Sequence, residues 1–362
     1  MSETKKKISD GVSKQSKLVT GGCGFVGRHL VKNLLAEGSD VWALDNLLTG
    51  KHPDTWLQGF ARREEKGLVL YEQEGRRLVF IQQDAIDFFR NQLDAEPKIT
   101  LPNFSEVYHF AAVVGGRAVL IEENPMLVAT NHLIDASFFQ WAVKNRERIG
   151  NILYMSTSVS YPFSLQVRGK HVAMKEEYLN LRGHGNIGLP DTVYGWIKIA
   201  GEYMGMLAHE RYGLSVVCAR GFTGYGGDQN LDYPIPSIAG RAARREDPLT
   251  IWGSGDQGRD FIYVDDLISA LRVGIKNIHD GSGLNIGLGN ITTYKEVARI
   301  MAELEGYAPQ IKGVPGKAEG PFAVYADTTL LKSFGWQARY TVREGFEKVL
   351  EKVKGRRDIS PI

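Results

Sequence analysis

Cysteine is scarce in this 362-residue chain, which has only Cys23 and Cys218. Two thiols build neither a disulfide framework nor a zinc site, so the expectation is a reduced, cytoplasmic protein without a metal. An excess of one charge is also missing. Forty-four Lys and Arg stand against 42 Asp and Glu, a formal net charge of +2, which argues against a nucleic-acid partner held by electrostatics. The basic clusters Lys5-Lys6-Lys7 and Arg244-Arg245 are short, as in a solvated tail and a helix face. No apolar run approaches a membrane span, and the polar first sixteen residues lack the apolar core of a signal peptide. They read as a disordered tail. Internal repeats and low-complexity stretches are absent too.

What is present begins with glycine. The short apolar run Lys17-Leu18-Val19-Thr20 leads into Gly21-Gly22-Cys23-Gly24-Phe25-Val26-Gly27, and Phe25 to Leu35 has helical periodicity. Strand, tight turn and helix in that order are what a dinucleotide site requires. Gly21 allows the sharp turn, Gly24 lets backbone approach a pyrophosphate, and Gly27 permits close packing of helix on strand. The spacing is Gly-x-x-Gly-x-x-Gly, and by itself an ordinary strand–helix turn would explain it. The next strand, Asp40 to Leu44, ends in Asp45, eighteen residues after Gly27. A carboxylate there accepts hydrogen bonds from the adenosine ribose diol and repels a 2′-phosphate, so the expected cofactor is NAD rather than NADP.

Tyr194 and Lys198 stand four apart in Tyr-Gly-Trp-Ile-Lys, one helical turn, which puts phenol and ammonium on one helix face. A tyrosine of ordinary pKa about 10 is a poor base at neutral pH, but an adjacent cation favours the phenolate. Beside a nicotinamide, such a phenolate takes the proton of an alcohol while hydride leaves its carbon. Most Tyr-x-x-x-Lys pairs are only a buried aromatic beside a solvated lysine; the upstream dinucleotide turn is what favours the chemical reading.

The first half alternates strand and helix signals, as a doubly wound parallel Rossmann sheet requires. Leu78–Asp84, Val107–Ala112, Asn151–Ser156 and Leu214–Arg220 read as its third to sixth strands, with the charged stretch Arg62–Arg77 as an inserted loop or hairpin. The expected organisation is a tail at 1–16, an NAD-binding Rossmann domain at 17–222, a smaller α/β substrate lobe at 223–350, and a tail at 351–362. Within the second lobe, Asp260–Val264 and Gly283–Gly287 are expected to return to the sheet edge or the interlobe cleft. Two long helices, about Pro125–Asn145 and Val193–Tyr212, are rich in apolar and aromatic residues and are read as the interface of a homodimer.

These residues together resemble the extended short-chain dehydrogenase/reductases that modify nucleotide sugars. The matching landmarks come in family order: the glycine turn, Asp45-Asn46-Leu47, Asp84, His109-Phe110-Ala111-Ala112, Asn131, Ser156-Thr157-Ser158 with Tyr161, Tyr194/Lys198 and Gly258-Arg259-Asp260-Phe261. The resemblance implies that Gly21, Gly24, Phe25, Val26, Gly27, Asp45 and Asn46 bind NAD. It implies that Asp84 and Ala85 lie at the adenine edge, and that Ala111, Ala112, Asn131, Tyr194 and Lys198 lie at the nicotinamide ribose. Thr157, four before Tyr161, falls where the family places its catalytic Ser or Thr, with Ser156 and Ser158 as competitors. Thr157, Tyr194 and Lys198 are the implied catalytic set. The implied partner is a nucleoside-diphosphate sugar, contacted by Val113, Gly115, Ser158, Thr223 and Arg259.

Departures from the family narrow the reaction. The 4,6-dehydratases put Asp-Glu directly after the Thr, and the decarboxylases keep the Glu; this chain has Ser158 and Val159. GDP-mannose 3,5-epimerases and GDP-fucose synthases keep a Cys where Val159 stands, although Val113-Val114-Gly115-Gly116 and Tyr161-Pro162 look most like those two families. A 3,5-exchange would need a base from elsewhere, such as Asp228 or Asp232. Thr223 replaces the usual Asn, and Phe322 and Val324 replace the usual arginines before Asp327. Hydride chemistry alone remains, so the expectation is C4 epimerisation of a nucleoside-diphosphate hexose through a transient 4-keto sugar. The alternatives are a GDP-sugar 3,5-epimerase or 4-keto-sugar reductase, then a 4,6-dehydratase; an idle NAD-binding regulator is disfavoured by the intact Thr157, Tyr194 and Lys198.

Overall fold

The computed structural model describes residues 15–114, 124–183, 187–314, 316 and 320–356. The expected N-terminal tail as far as residue 14, Gly115, Gly116 and the last six residues lie outside the described residues.

The first lobe is built on strands β1 (Ser16–Thr20), β2 (Asp40–Asp45), β3 (Ala61–Glu65), β4 (Leu68–Gln73), β5 (Arg76–Gln82), β6 (Phe104–His109), β7 (Ile149–Thr157) and β8 (Ser215–Gly221). The second half adds β9 (Thr223–Tyr225), β10 (Leu249–Trp252), β11 (Gly258–Arg259), β12 (Phe261–Tyr263), β13 (Asp280–Ile286), β14 (Thr292–Thr293), β15 (Ile311–Val314) and β16 (Ala323–Val324). The nine-stranded sheet runs β13-β8-β7-β6-β1-β2-β5-β4-β3. All neighbours from β13 to β5 are parallel, and β4 and β3 add an antiparallel hairpin, the expected insertion of charged residues. The exposed outer strand β3 carries Arg62, Arg63, Glu64 and Glu65, charges that protect an edge from pairing with another chain.

Strand alternation sorts the core into two layers. Val19, Val41, Ala43, Phe80, Leu153 and Val217 face one side, while their neighbours Leu18, Trp42, Leu44, Val79, Ile152 and Val216 face the other. The first side is covered by α1 (Phe25–Ala36). The second is covered by α2 (Ala85–Asn91), α3 (Pro125–Lys144) and α4 (Val193–Tyr212). Gly201 brings α4 onto β7, because a Cβ there would fall 1.9 Å from the Tyr154 hydroxyl.

A second core joins α5 (Pro234–Ala243), α7 (Tyr294–Leu304) and α9 (Val342–Lys354) to the parallel pair β10–β15. Capping boxes start α7 at Thr293/Glu296 and α9 at Thr341/Glu344. The lobes interleave more than a boundary at 222/223 suggests. Helix α6 (Val264–Asn277) packs Leu267, Ile268, Leu271 and Ile275 on the first core, beside α1. β13 joins the large sheet along β8, and the short α8 (Thr329–Ser333) contributes Leu331 to the same core. Phe261–Tyr263 pairs with β9 in a two-stranded ribbon, with Ile262 in the first core and Phe261 in the second, in keeping with the expected position between the lobes. The expected C-terminal tail also begins later than 351, since α9 continues to Lys354.

Candidate active site

β1 pairs with β2 on one side and β6 on the other, and chain direction around the sheet reverses there. The crevice beyond the carboxyl ends of such strands is where doubly wound sheets hold ligands. The glycine turn fills one wall of it. Gly21 has φ 65° and donates its N–H to the Leu44 carbonyl at 2.8 Å. Gly27 admits no side chain, because its Cβ would lie 2.0 Å from the Gly21 oxygen. Gly24 caps α1 with no side-chain hydrogen bond, and the first turn, which contains Phe25 and Val26, carries no acidic residue. A Cβ on Gly24 would meet only the Gly21 oxygen within 4 Å. An open helix N-terminus without an internal anion fits a pyrophosphate.

Asp45 ends β2 and is nearly buried. Its Oδ2 accepts the Cys23 N–H at 2.9 Å, and its Oδ1 accepts the Leu47 N–H at 2.8 Å. Burial raises its carboxyl above the ordinary value, and these N–H bonds oppose the rise. A carboxylate offers about four acceptor positions, so it can hold the turn and still receive a ribose hydroxyl. Asn46 donates Nδ2–H to Asp84 at 3.2 Å, while Asp84 also caps α2 through the Ile86 N–H at 2.9 Å, just before buried Ala85. The expected adenine-edge residue is therefore a helix cap as well.

On the opposite wall, Ala111, Ala112 and Val113 follow β6 and are half-buried. Asn131, expected at the nicotinamide ribose, binds the neighbouring backbone in the protein alone. Its Oδ1 accepts the Val113 N–H at 2.9 Å, and its Nδ2 donates to the carbonyls of Val113 and Leu127 at 3.0 and 2.9 Å. Both donors are engaged, and the side chain clamps the loop after β6 to α3. Gly115, expected at the substrate, lies outside the described residues.

Thr157 ends β7, and its Oγ1 accepts the Val159 N–H at 3.4 Å, capping the turn Ser158–Ser160. Its neighbour Ser156 is bound to Glu202, which forms a buried ion pair with Arg220 at 2.8 Å, so Ser156 has a packing role. Ser158 is buried. Gly195 lets α4 abut this turn, and Ser160 Oγ donates to the Gly195 carbonyl at 3.5 Å. That contact brings Tyr194, in the first turn of α4, alongside the end of β7.

Lys198 is buried, with its Nζ 4.0 Å from Asp135 Oδ2, 4.6 Å from the Tyr154 ring and 5.7 Å from the Tyr194 ring. Burial lowers its pKa, and Asp135 and Glu202 oppose that fall. The Tyr194 phenol is pushed well above its ordinary value, first by burial and then by Asp135 and Tyr233. In the protein alone burial and Asp135 thus outweigh any lowering of Tyr194 by Lys198, whose Nζ stands closer to Asp135 Oδ2 than to the Tyr194 ring. Bound NAD would add the positive charge of its nicotinamide, which favours a phenolate.

In the second lobe, Thr223 donates its N–H to the Asp260 carbonyl at 3.0 Å. Arg259 Nη1 donates to the carbonyls of Gly258 and Pro321 at 2.8 and 2.7 Å. Arg168 lies over the adjacent Phe322, 4.3 Å from its ring centroid. No motif marks Arg168; only folding brings that cation to a position where the sequence lacks an arginine. Asp228 bolts the lobes together: its Oδ2 accepts Arg28 Nε and Nη2 at 3.1 and 3.0 Å, and its Oδ1 lies 3.0 Å from His29 Nε2. Burial would raise this carboxyl, but His29 and Arg28 outweigh it and hold it well below the usual range.

A family model described as the NAD dependent epimerase/dehydratase family matches residues 17–287. The chain belongs to this family. As a member of the NAD-dependent epimerase/dehydratase family, it is an enzyme that uses NAD in nucleotide-sugar epimerisation, dehydration or decarboxylation. Over 344 residues it is 27% identical to UDP-glucuronic acid decarboxylase 1 of Arabidopsis thaliana, a match that covers 94% of this chain and 70% of that protein. It is 26% identical over 346 residues to dTDP-glucose 4,6-dehydratase of Xanthomonas campestris pv. campestris, covering 91% and 90%. The fold is shared with the UDP-glucose 4-epimerase of Thermus thermophilus in complex with NAD, at TM-score 0.75 and 23% identity, over 94% of this chain and 99% of that one. Among the described residues, no helix is long and apolar enough to cross a membrane.

Proposed function

We propose that this chain is a nucleotide-sugar 4-epimerase, which oxidises C4 of a nucleoside-diphosphate hexose and reduces the 4-keto sugar on its other face. The observation that carries this reading is the abutment of the Thr157 turn and the Tyr194–Lys198 helix at Gly195, with Ser158 and Val159 where an acid or a thiol would be needed for other chemistry. Bound NAD supplies the reversible acceptance of hydride. Tyr194 takes the proton of the C4 hydroxyl and returns it, Thr157 hydrogen-bonds the same oxygen, and Lys198 supplies a cation beside the phenol and a donor to the cofactor ribose. Arg259 and Arg168 flank the 321–322 segment and are suited to the diphosphate. The exposed side chains Met126, Leu133, Trp196, Tyr203 and Tyr212 on α3 and α4 offer a surface for a homodimer of a cytoplasmic enzyme.

A GDP-sugar 3,5-epimerase or 4-keto-sugar reductase is the second reading, favoured by Val113-Val114-Gly115-Gly116 and Tyr161-Pro162. The candidate bases for 3,5-exchange do not support it. Asp228 is committed to Arg28 and His29 as a poor base, and Asp232 is a surface residue accepting from Asn230 at 3.1 Å. The test is NMR of products formed in heavy water from a panel of UDP- and GDP-sugars. The 4-epimerase reading expects inversion at C4 with the C4 hydrogen retained, no deuterium at C3 or C5, and no net use of reductant. Deuterium at C3 or C5 would overturn it in favour of 3,5-epimerisation. Loss of the 6-hydroxyl or of a carboxylate would mean a dehydratase or a decarboxylase.

A further inference from the structure

Beneath the crevice lies a buried polar chain that crosses five elements. At the end of β1, Thr20 Oγ1 accepts the N–H groups of Phe110 and Ala111 at 3.2 and 3.1 Å and lies 2.9 Å from His109 Nδ1. His109 Nε2, at the end of β6, is 3.2 Å from Asp135 Oδ1 on α3. Asp135 Oδ2 accepts the Tyr154 hydroxyl of β7 at 2.6 Å and stands 4.0 Å from Lys198 Nζ of α4. An ionised carboxylate only accepts, so the His109 proton sits on Nε2, leaving Nδ1 to accept the Thr20 hydroxyl. Thr20 then has its lone pairs free for the two backbone N–H groups. One proton arrangement satisfies Thr20, His109, Asp135 and Tyr154 together.

We propose that Asp135 is a positioning residue for Lys198, holding its ammonium in place and tying it, through His109 and Thr20, to the backbone of Phe110 and Ala111 on the cofactor wall. The proposal rests on the role given above to Lys198 at the cofactor. Lys198, Asp135, His109 and Tyr154 are each at most 3% exposed. An ammonium so enclosed loses its proton easily unless a carboxylate stands close. Burial depresses both Lys198 and His109, so the lysine is the cation of the group and the imidazole stays neutral. Burial would raise Asp135, but Lys198, His109 and Tyr154 outweigh it and keep the acid ionised. The titratable groups facing the pair are His109 from β6, Tyr154 from β7, Cys218 from β8, and Tyr194 and Glu202 from α4.

The test measures NAD affinity by calorimetry from mildly acidic to alkaline pH, a readout that needs no sugar substrate. Asp135→Asn keeps the shape and removes the charge. Its loss of NAD affinity on the alkaline side is expected about one to three pH units lower than in the wild type. At a pH between the two transitions the variant should bind about tenfold more weakly or worse. Asp135→Glu should restore the wild-type profile, and in a Lys198→Met background Asp135→Asn should add no further effect. A wild-type profile in Asp135→Asn, or a full additional loss in the Lys198→Met background, overturns the proposal. If Asp135→Asn does not fold, the smaller and equally neutral Asp135→Ser also removes the charge and should shift the profile in the same direction; no shift there overturns the proposal equally. A wild-type chain inactive on every sugar nucleotide would remove the epimerase reading and leave this affinity profile readable.

Discussion

A Cβ on Gly195 would lie 2.5 Å from the carbonyl oxygen of Val159, so the helix bearing Tyr194 closes on the turn after β7 only because residue 195 has no side chain. The same Cβ would lie 2.6 Å from Pro190 Cβ, which leaves little room to move aside. Gly195→Ala is expected to push the first turn of α4 off Thr157. Turnover should fall about 10²-fold, the penalty for misplacing reacting groups by roughly an ångström. The stability cost is expected to be about 1–3 kcal/mol, as for overpacking. Kinetics and denaturant melts of the same preparation separate the two effects, and unchanged kinetics would show that the abutment does not matter.

Removing the Tyr194 oxygen tests the chemistry directly. Tyr194→Phe should abolish turnover while NAD still binds, and Lys198→Met should damage both binding and rate. Thr157→Val should slow turnover by about 10²-fold, in the usual range for a group that positions a proton transfer. NAD titrations alongside rates at saturating substrate give the comparison. A Tyr194→Phe enzyme with the wild-type rate would end the mechanism.

Asp45 serves two ends, since it holds the Cys23 N–H as well as facing the expected ribose. Asp45→Ala should narrow the preference for NAD over NADP by relieving repulsion of a 2′-phosphate. It should also lower stability by about 1–3 kcal/mol, because the Cys23 amide is left without its acceptor. Parallel NAD and NADP titrations with thermal melts check both. A wild-type enzyme that binds NADP tightly and NAD negligibly would contradict the role given to this residue.

Asp260 predicts a pH dependence of stability. It is buried with its carboxylate accepting from the N–H groups of Leu288, Gly289 and Ala326 at 2.8, 2.9 and 3.1 Å. Burial still pushes it from its ordinary 3.8 up to about 6. Over that interval the folded chain holds a proton that the unfolded chain has lost, so this contribution is full below the ordinary value and falls away as pH rises through about 6. Asp260→Asn should flatten that part of the Tm-against-pH curve. It should also lower Tm throughout, since either orientation of the amide turns a donor toward a backbone donor. A variant curve parallel to the wild type would assign the slope to other groups.

Much of the fold was written locally. Short apolar runs marked the buried strands, a glycine turn followed by helical periodicity marked β1 and α1, and a spacing of four put Tyr194 and Lys198 on one face of a helix found at Val193–Tyr212. Such signals need only neighbouring residues, because backbone geometry repeats about every two residues in a strand and every 3.6 in a helix. Asp45 was legible for the same reason, as the end of a strand a fixed distance from the turn.

What only tertiary structure decided lies between distant parts of the chain. Arg28 meets Asp228 across 200 positions, α6 packs beside α1, and Arg168 reaches Phe322. Asp135 belongs to no motif and becomes significant only because α3, β6, β7 and α4 converge on it. Asn131 carried the family position, yet its amide is spent on the Val113 loop. The sequence by itself determined which segments are strand or helix and which residues could do redox chemistry, because these follow from periodicity and functional-group type. Packing decided which carboxylate faces Lys198 and how far Tyr194 is raised, because burial and the separation of charges exist only once the chain has folded.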